Sequence, residues 1–148
     1  MKVPAEAGAL RLSVPPDARY GRYVREHVAR FAVTHTVPDA DADEFVTAVS
    51  EALANAIEHS RSPDTIEISC WMVGDQIFAK VVDHGVGFVF EPSAQREPTD
   101  VLAERGRGLP IMRRYTDSLS VRSAPGKGTS ITLARYVRNR RGLSALAG

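Results

Sequence analysis

The first sign of chemistry in this chain is a carboxylate and an amide that lie one helical turn apart. Glu51 and Asn55 are separated by four residues in a segment whose apolar residues recur at helical spacing, so both share one face of the predicted helix, opposite its apolar stripe. The amide oxygen of Asn55 is a hard ligand of the kind that Mg²⁺ prefers. The Glu51 carboxylate can accept a proton from an attacking hydroxyl or water. The same pattern is also typical of the solvated face of an ordinary amphipathic helix.

A second candidate lies where an apolar strand ends in a glycine-containing turn. Asp83 follows Val81 and Val82, and Gly85 and Gly87 come after it at alternate positions. Glycine lets the backbone approach a flat ligand closely, and the Asp83 carboxylate can accept a hydrogen bond from an exocyclic amine such as that of adenine. The alternative interpretation is an ordinary turn at the end of a strand.

A third candidate is a glycine-rich turn directly before a predicted helix. Its residues are Arg105, Gly106, Arg107, Gly108 and Leu109. The backbone N–H groups of such a turn can point at phosphate, and Arg105 or Arg107 can pair with a terminal phosphate through its planar guanidinium. A linker with solvated arginines is the alternative.

A fourth segment, Gly126-Lys127-Gly128-Thr129, opens the last predicted strand and by itself is typical of a plain hairpin turn. It is not a P-loop, because Val121 stands at the first glycine position of that motif and Gly128 at its hydroxyl position. The two earlier glycine pairs do not complete the dinucleotide-binding motif, because Phe90 and Ile111 stand at its last position.

Length, charge and cysteine content limit the classes of protein to which the chain can belong. Its 148 residues suffice for one domain with a buried core, and the net charge of +1 does not support bulk binding to nucleic acid or membranes. Cys70, the single cysteine, lies in an apolar segment and is expected to be a buried, inert thiol. One cysteine and no long apolar segment indicate a reducing, cytoplasmic compartment, without a signal peptide or a membrane span.

The elements that position these residues follow from hydrophobic periodicity and turn signals. The pattern predicts strands at about 10–14, 65–73, 76–82, 118–122 and 129–136, and helices at about 18–31, 41–59 and 108–115. A stretch rich in glycine, proline and charge follows Asp83 and extends to about residue 107. We expect a single two-layer α/β (α+β) domain over residues 1–148, with helices on one face of a mixed, mostly antiparallel sheet and a flexible tail from about 138.

The order of the four segments is more specific than any one of them. Together they resemble the sequence boxes of the gyrase, chaperone and histidine-kinase (GHKL) ATPases. The matching order is Glu-x-x-x-Asn on a helix, Asp-x-Gly-x-Gly after a strand, a variable insert, Gly-x-Gly-Leu before a helix and Gly-Thr on a strand. The resemblance covers about residues 44–133. Within that superfamily, segments 50–59 and 106–112 look most like the anti-sigma-factor serine/threonine kinases of bacterial partner-switching systems, and the short chain also fits them.

The resemblance implies a fold and a role for each matching residue. The implied fold is the Bergerat ATP-binding fold, with ATP or ADP and Mg²⁺ as cofactors. Glu51 is expected to activate the substrate hydroxyl, and Asn55 to ligate Mg²⁺. The same resemblance implies that Asp83 recognises adenine, that Thr129 supports this contact, and that Gly85 and Gly87 shape the adenine pocket. It also implies a lid over the phosphates, bounded by Gly106 and Gly108 and followed by Leu109. Arg105 or Arg107 is expected to contact the γ-phosphate.

The family also implies the partners. It implies phosphorylation of a small anti-anti-sigma antagonist on serine or threonine, sequestration of a sigma factor, and a homodimer, without direct contact to nucleic acid or membrane. A non-catalytic ATP-binding module that acts by holding its partner is the alternative. A histidine-kinase catalytic domain is disfavoured because none of the four histidines lies on a separate helical hairpin, and a chaperone-like ATP hydrolase because no further domain is expected.

Overall fold

Segments of alternating apolar and polar residues form one five-stranded sheet in the computed structural model, which describes residues 8–88 and 109–137. The strands are β1 (Leu10–Val14), β2 (Ile66–Val73), β3 (Gln76–Asp83), β4 (Ser118–Ser123) and β5 (Thr129–Tyr136). Their order across the sheet is β1-β2-β3-β5-β4. The predicted mostly antiparallel sheet is confirmed, and within the described residues all four strand pairings are antiparallel.

Helices form the second layer. They are α1 (Gly21–Thr34), which follows a 3₁₀ turn at Ala18–Tyr20, α2 (Asp39–His59) and α3 (Leu109–Arg114). The helix α2 packs against β3 and β5 and also contacts α1 and α3. It begins two residues earlier than predicted, directly after Pro38, whose ring fixes the backbone φ at −59°.

The strand register defines an inner sheet face that packs against the helices. Ile68 on β2 is opposite Val81 on β3, and Val81 is opposite Ile131 on β5. All three are at most 2% exposed, and Phe45 of α2 is fully buried with them in one core cluster. Val24 of α1 is also fully buried in this core.

The thiol of Cys70 on β2 is part of this core. It is fully buried, and its burial raises the pKa of the thiol far above the ordinary value. The predicted burial of Cys70 is thus confirmed, and a thiol that stays protonated is a poor nucleophile.

Several predictions concern residues outside the described ranges. These are the glycine- and proline-rich stretch beyond residue 88, the turn from Arg105 to Gly108, and the tail from 138. Within the described residues, no helix combines the length and the apolar character that crossing a bilayer requires.

Candidate functional site

The carboxyl end of α2 lies against the glycine turn that follows β3. The N–H of Val86 donates a hydrogen bond of 2.9 Å to the carbonyl oxygen of Ser60, the residue directly after α2. Gly85 fits at this contact only because it lacks a side chain, since a Cβ there would lie 2.1 Å from the same carbonyl oxygen. The helix and the turn are therefore in direct contact. Asn55, five residues before Ser60, is about 7.5 Å from it along the helix axis.

Asn55 is buried, which corrects the prediction that it lies on a solvated side of α2. Only 7% of Asn55 is exposed, and Ala52 and Ala56 beside it are also buried. The physical reason is that α2 lies between the sheet, α1 and α3, so more than one stripe of the helix is covered. The Asn55 Oδ1 atom has no hydrogen-bond partner among the described residues. A buried oxygen without a donor is costly, and such an oxygen fits a cation ligand.

Glu51 lies one turn before Asn55 on α2 and is half-buried. No hydrogen bond or ion pair connects its side chain to another part of the described chain. His59 extends the same line one turn further, and its buried Nε2 has no hydrogen bond from a described residue. His59 therefore lies in line with Glu51 and Asn55 on one side of α2.

Asp83 and Thr129 are directly opposite each other on β3 and β5. Both belong to the inner sheet face, and they are 5% and 9% exposed. The Oδ1 atom of Asp83 accepts a hydrogen bond of 3.0 Å from the N–H of Gly85, which orients the carboxylate at the start of the turn. The two residues thus form a buried polar pair at one end of a mostly apolar face, and polar atoms in such a place can select a ligand by hydrogen bonding.

Ser123, at the end of β4, joins the two glycine turns beside this pair. Its Oγ accepts a hydrogen bond of 2.9 Å from the N–H of Phe88 and donates one of 3.1 Å to the carbonyl oxygen of Gly128. The same Oγ lies 2.9 Å from Oγ1 of Thr129. Ser123 is not predicted from the sequence, because its contact with Phe88 spans 35 residues and carries no local sequence signal.

Close backbone contacts in the same region leave room only for glycine at positions 87 and 128. Their φ angles are +65° and +76°, in the left-handed region that favours glycine. A Cβ on Gly87 would lie 2.0 Å from the carbonyl oxygen of Ala124, and a Cβ on Gly128 would lie 2.0 Å from that of Asp83. The turn after β3 and the hairpin before β5 therefore fit against each other without room for a side chain.

Leu109 is the one residue of the second glycine turn that the structure describes. It begins α3, is 2% exposed and packs in the core. Arg105, Gly106, Arg107 and Gly108 lie outside the described residues, so their proposed contacts with phosphate stay predictions.

Comparison with known proteins connects this arrangement to one family. The sequence model of the family described as "Histidine kinase-like ATPase domain" matches residues 14–135. That range contains Glu51, Asn55, Asp83 and Thr129, and it agrees with the resemblance found in the sequence boxes.

Two relatives that this chain covers over more than four fifths of their length carry the same name. The chain is 33% identical over 120 residues to the "Anti-sigma F factor" of Thermoanaerobacter sp. (strain X514), covering 78% of this chain and 84% of that protein. It is 34% identical over 124 residues to the protein of that name from Caldanaerobacter subterraneus subsp. tengcongensis, covering 80% and 87%. These similarities confirm the resemblance to anti-sigma factors of the GHKL type.

Solved structures share the fold. The RsbU and RsbW domains of Rv1364c from Mycobacterium tuberculosis match with a TM-score of 0.69 and 20% identity over 90% of this chain. The chain spans only 33% of that longer structure. A structure of the SiaB-SiaC complex from Pseudomonas aeruginosa matches with a TM-score of 0.60 and 9% identity, covering 84% of this chain and 88% of that one. At these identities the matches confirm the architecture alone.

Proposed function

Because this chain belongs to the family of histidine kinase-like ATPase domains, we propose that it binds ATP and transfers the γ-phosphoryl group to a serine or threonine of a small regulatory protein. The observation that carries the proposal is the set of buried polar residues, Asn55, Asp83 and Thr129, next to glycine turns that admit no side chain. Stability alone does not favour a buried amide oxygen such as Oδ1 of Asn55, which has no hydrogen-bond partner among the described residues, whereas a ligand that completes its bonding does.

Asp83 recognises adenine in this proposal. Its carboxylate, oriented by the N–H of Gly85, accepts a hydrogen bond from the exocyclic amine of the base. Thr129 lies beside it in the strand register and supports this contact, and Ser123 holds Thr129 in place. Gly85 and Gly87 keep side chains away from the plane of the base.

Asn55 holds Mg²⁺ in this proposal. Its partnerless Oδ1 supplies one hard oxygen ligand, and the nucleotide phosphates supply others, which is a common arrangement for this cation. When bound, Mg²⁺ neutralises charge that develops on the phosphates during transfer. Arg105 or Arg107 adds positive charge at the terminal phosphate.

Glu51 acts as the general base in this proposal. It lies one turn from Asn55, and no described residue engages its carboxylate, so the carboxylate can orient and deprotonate the incoming hydroxyl. Phosphoryl transfer depends mainly on positioning and charge stabilisation, and α2 is a rigid element that positions both residues.

The relatives named "Anti-sigma F factor" suggest the regulatory role. We propose that this chain also holds a sigma factor, in the cytoplasm, and that its phosphorylation substrate is an anti-anti-sigma antagonist. A phosphate added to the antagonist would disrupt an interface by repulsion and desolvation, so transfer would control which partner is held.

The proposed transfer is tested by incubating the chain with γ-labelled ATP and the small antagonist-type protein encoded by a neighbouring gene. We expect label on serine or threonine of the antagonist. Glu51→Gln should reduce the transfer rate by about 10² or more and keep ATP binding, because the base is lost but the pocket is not. Glu58→Gln, an exposed change on the same helix, is the matched control and should leave transfer unchanged.

Two results would contradict this assignment. Full transfer by Glu51→Gln would remove Glu51 from the base role. Stable, ATP-dependent binding of a sigma factor or antagonist without any labelled product would favour the non-catalytic alternative, in which the module acts by sequestration.

A further inference from the structure

Asp83, Thr129 and Ser123 form one polar row across three strands. Thr129 on β5 is opposite Asp83 on β3 and opposite Ser123 on β4. The hydroxyl of Ser123 accepts a hydrogen bond from the N–H of Phe88 at 2.9 Å and donates one to the carbonyl oxygen of Gly128 at 3.1 Å. Both directions are fixed, because a backbone N–H only donates and a carbonyl oxygen only accepts.

The direction of the hydrogen bond between Ser123 and Thr129 follows from the number of hydrogens. A serine hydroxyl has one hydrogen, and Ser123 uses it on the carbonyl oxygen of Gly128. The two hydroxyl oxygens of Ser123 and Thr129 lie 2.9 Å apart, so their bond forms only if Thr129 is the donor. In this one assignment all three bonds of Ser123 form together. Oγ1 of Thr129 then has only lone pairs to offer a ligand.

Two hydrogen-bond acceptors therefore lie side by side in the candidate nucleotide site. Both Asp83 and Thr129 are buried on the inner sheet face, and the Cβ atoms of residues that are opposite on antiparallel strands lie about 5 Å apart. An ionised carboxylate can only accept, and so can Oγ1 of Thr129 once its hydrogen is used. Two acceptors that each bond one hydrogen of a planar amine at about 2.9 Å also lie about 5 Å apart.

We propose that Ser123 is a positioning residue that holds Thr129 as an acceptor and thereby makes the site select a base with an exocyclic amine. Asp83 and Thr129 each accept one hydrogen of that amine. A carbonyl oxygen in the same place would face two buried acceptors with no hydrogen between them, which is costly away from water. The inference rests on the proposed binding of ATP and adds a cause for the choice of adenine over a base with a carbonyl at that position.

The surroundings of Ser123 keep this arrangement in place. Phe88 follows the turn after β3, and Gly128 directly precedes β5, so the hydroxyl of Ser123 is bonded to both glycine turns. The backbone of Gly128 is packed against that of Asp83 without room for a Cβ, which holds its carbonyl group near Ser123. Ser123 acts on the base through Thr129, because Thr129 lies between Ser123 and Asp83 in the row.

The test compares the Kd of ATP with that of inosine triphosphate, whose base carries a carbonyl oxygen in place of the amine, by calorimetric titration with Mg²⁺. The wild type should bind ATP about 10²-fold or more tightly. Ser123→Ala should reduce this ratio about tenfold or more, because the hydroxyl of Thr129 can then donate to the carbonyl oxygen. Ser120→Ala, an exposed change on the same strand, is the matched control and should leave the ratio unchanged.

A double variant distinguishes an effect through Thr129 from a general loss of structure. Thr129→Val removes the hydroxyl and should by itself reduce the ratio about tenfold, because ATP loses a bond and inosine triphosphate loses a repelling neighbour. When Ser123→Ala is added to Thr129→Val, the ratio should not change further. A purely structural role of Ser123 would weaken the binding of both nucleotides alike and keep the ratio.

The outcomes separate this inference from the proposed function. Absence of saturable binding of either nucleotide to the wild type would overturn both. If the wild type binds ATP, the inference alone is overturned by equal Kd values for the two nucleotides, by an unchanged ratio in Ser123→Ala, or by a further change when Ser123→Ala is added to Thr129→Val. If thermal unfolding shows that Ser123→Ala is not folded, Thr129→Val decides, and an unchanged ratio in that variant overturns the inference.

Discussion

Arg135 on β5 donates to one oxygen of Asp41, at the start of α2, through both Nε at 3.2 Å and Nη2 at 2.7 Å. Its Nη1 also donates to the carbonyl oxygen of Tyr115 at 3.0 Å and lies 2.5 Å from Oε2 of Glu44. One guanidinium thus joins β5, α2 and the end of α3. Burial by itself would lower the pKa of Arg135, but hydrogen bonds with Asp41 and Glu44 raise the pKa above its ordinary value, so the side chain stays charged.

Arg135→Met should destabilise the fold by about 3–5 kcal/mol, because it leaves the Asp41 carboxylate buried without its cation. The side chains of Arg135 and Asp41 are only 15% and 7% exposed. Urea unfolding at neutral pH measures the loss.

Arg22→Met is the matched control for that loss. Arg22 pairs with Glu26 at 2.9 Å, but the two side chains are 82% and 57% exposed, so removal of this pair should cost less than about 1 kcal/mol. If Arg135→Met costs no more than Arg22→Met, the guanidinium does not join these elements in the way that its contacts indicate.

Gly85→Ala should distort the contact between α2 and the turn after β3. The added Cβ meets the backbone of Ser60 at 2.1 Å, where no side chain can move away, so we expect a loss of roughly 3 kcal/mol and no measurable ATP binding. Urea unfolding and nucleotide titration measure the two effects. Gly126→Ala is the control, because a Cβ there has no atom within 4 Å and its φ of +74° adds only local strain of about 1–2 kcal/mol. Normal ATP binding by Gly85→Ala would contradict the proposed pocket.

Asn55→Ala should abolish the effect of Mg²⁺ on ATP binding and change the stability of the fold very little. Since Oδ1 of Asn55 has no hydrogen-bond partner among the described residues, its removal should change the free energy of unfolding by no more than about 1 kcal/mol. The increase in ATP affinity on adding Mg²⁺ should disappear. Thr47→Ala, an exposed change on α2, should retain it. A large stability loss, with Mg²⁺ dependence intact, would assign Asn55 a structural role instead.

Cys70 should make stability fall at alkaline pH. Burial raises the pKa of its thiol in the folded state, so the unfolded chain loses its proton first and is favoured as the pH rises above the ordinary thiol pKa, about 8.5. The stability advantage of the wild type over Cys70→Ala should shrink by about 1.4 kcal/mol between pH 7 and pH 9.5. Urea unfolding of both proteins at the two pH values provides the measurement. A constant difference would show that the folded and unfolded thiols titrate alike.

The strands, helices and turns that depend on local sequence patterns could be predicted from the sequence. Alternation and helical periodicity placed β2, β3, β5 and α2 within two residues of their observed bounds, and turn chemistry placed Gly85 and Gly87 at the end of a strand. These features depend on residues close in the chain, where spacing and side-chain type carry the signal.

What the sequence did not predict depends on contacts between distant residues. Asn55 is buried because α1, α3 and the sheet cover α2 from several sides, and helical periodicity alone assigned it to solvent. Arg135 and Asp41 are 94 residues apart, so no local pattern pairs them. Ser123 has no flanking motif to mark it. Such partners are known only once the register of β3, β4 and β5 is known.

The proposed nucleotide site lies where α2, the turn after β3 and the start of β5 meet. Calorimetric titration of the folded chain with ATP and Mg²⁺ tests it most directly, with Asp83→Asn as the site variant and Asp64→Asn, in an exposed loop, as the control. We predict saturable binding with Kd below about 1 mM, weakened about tenfold or more by Asp83→Asn and unchanged by Asp64→Asn. Absence of saturation with wild-type protein at millimolar ATP, or equal affinity for wild type and Asp83→Asn, would contradict the account.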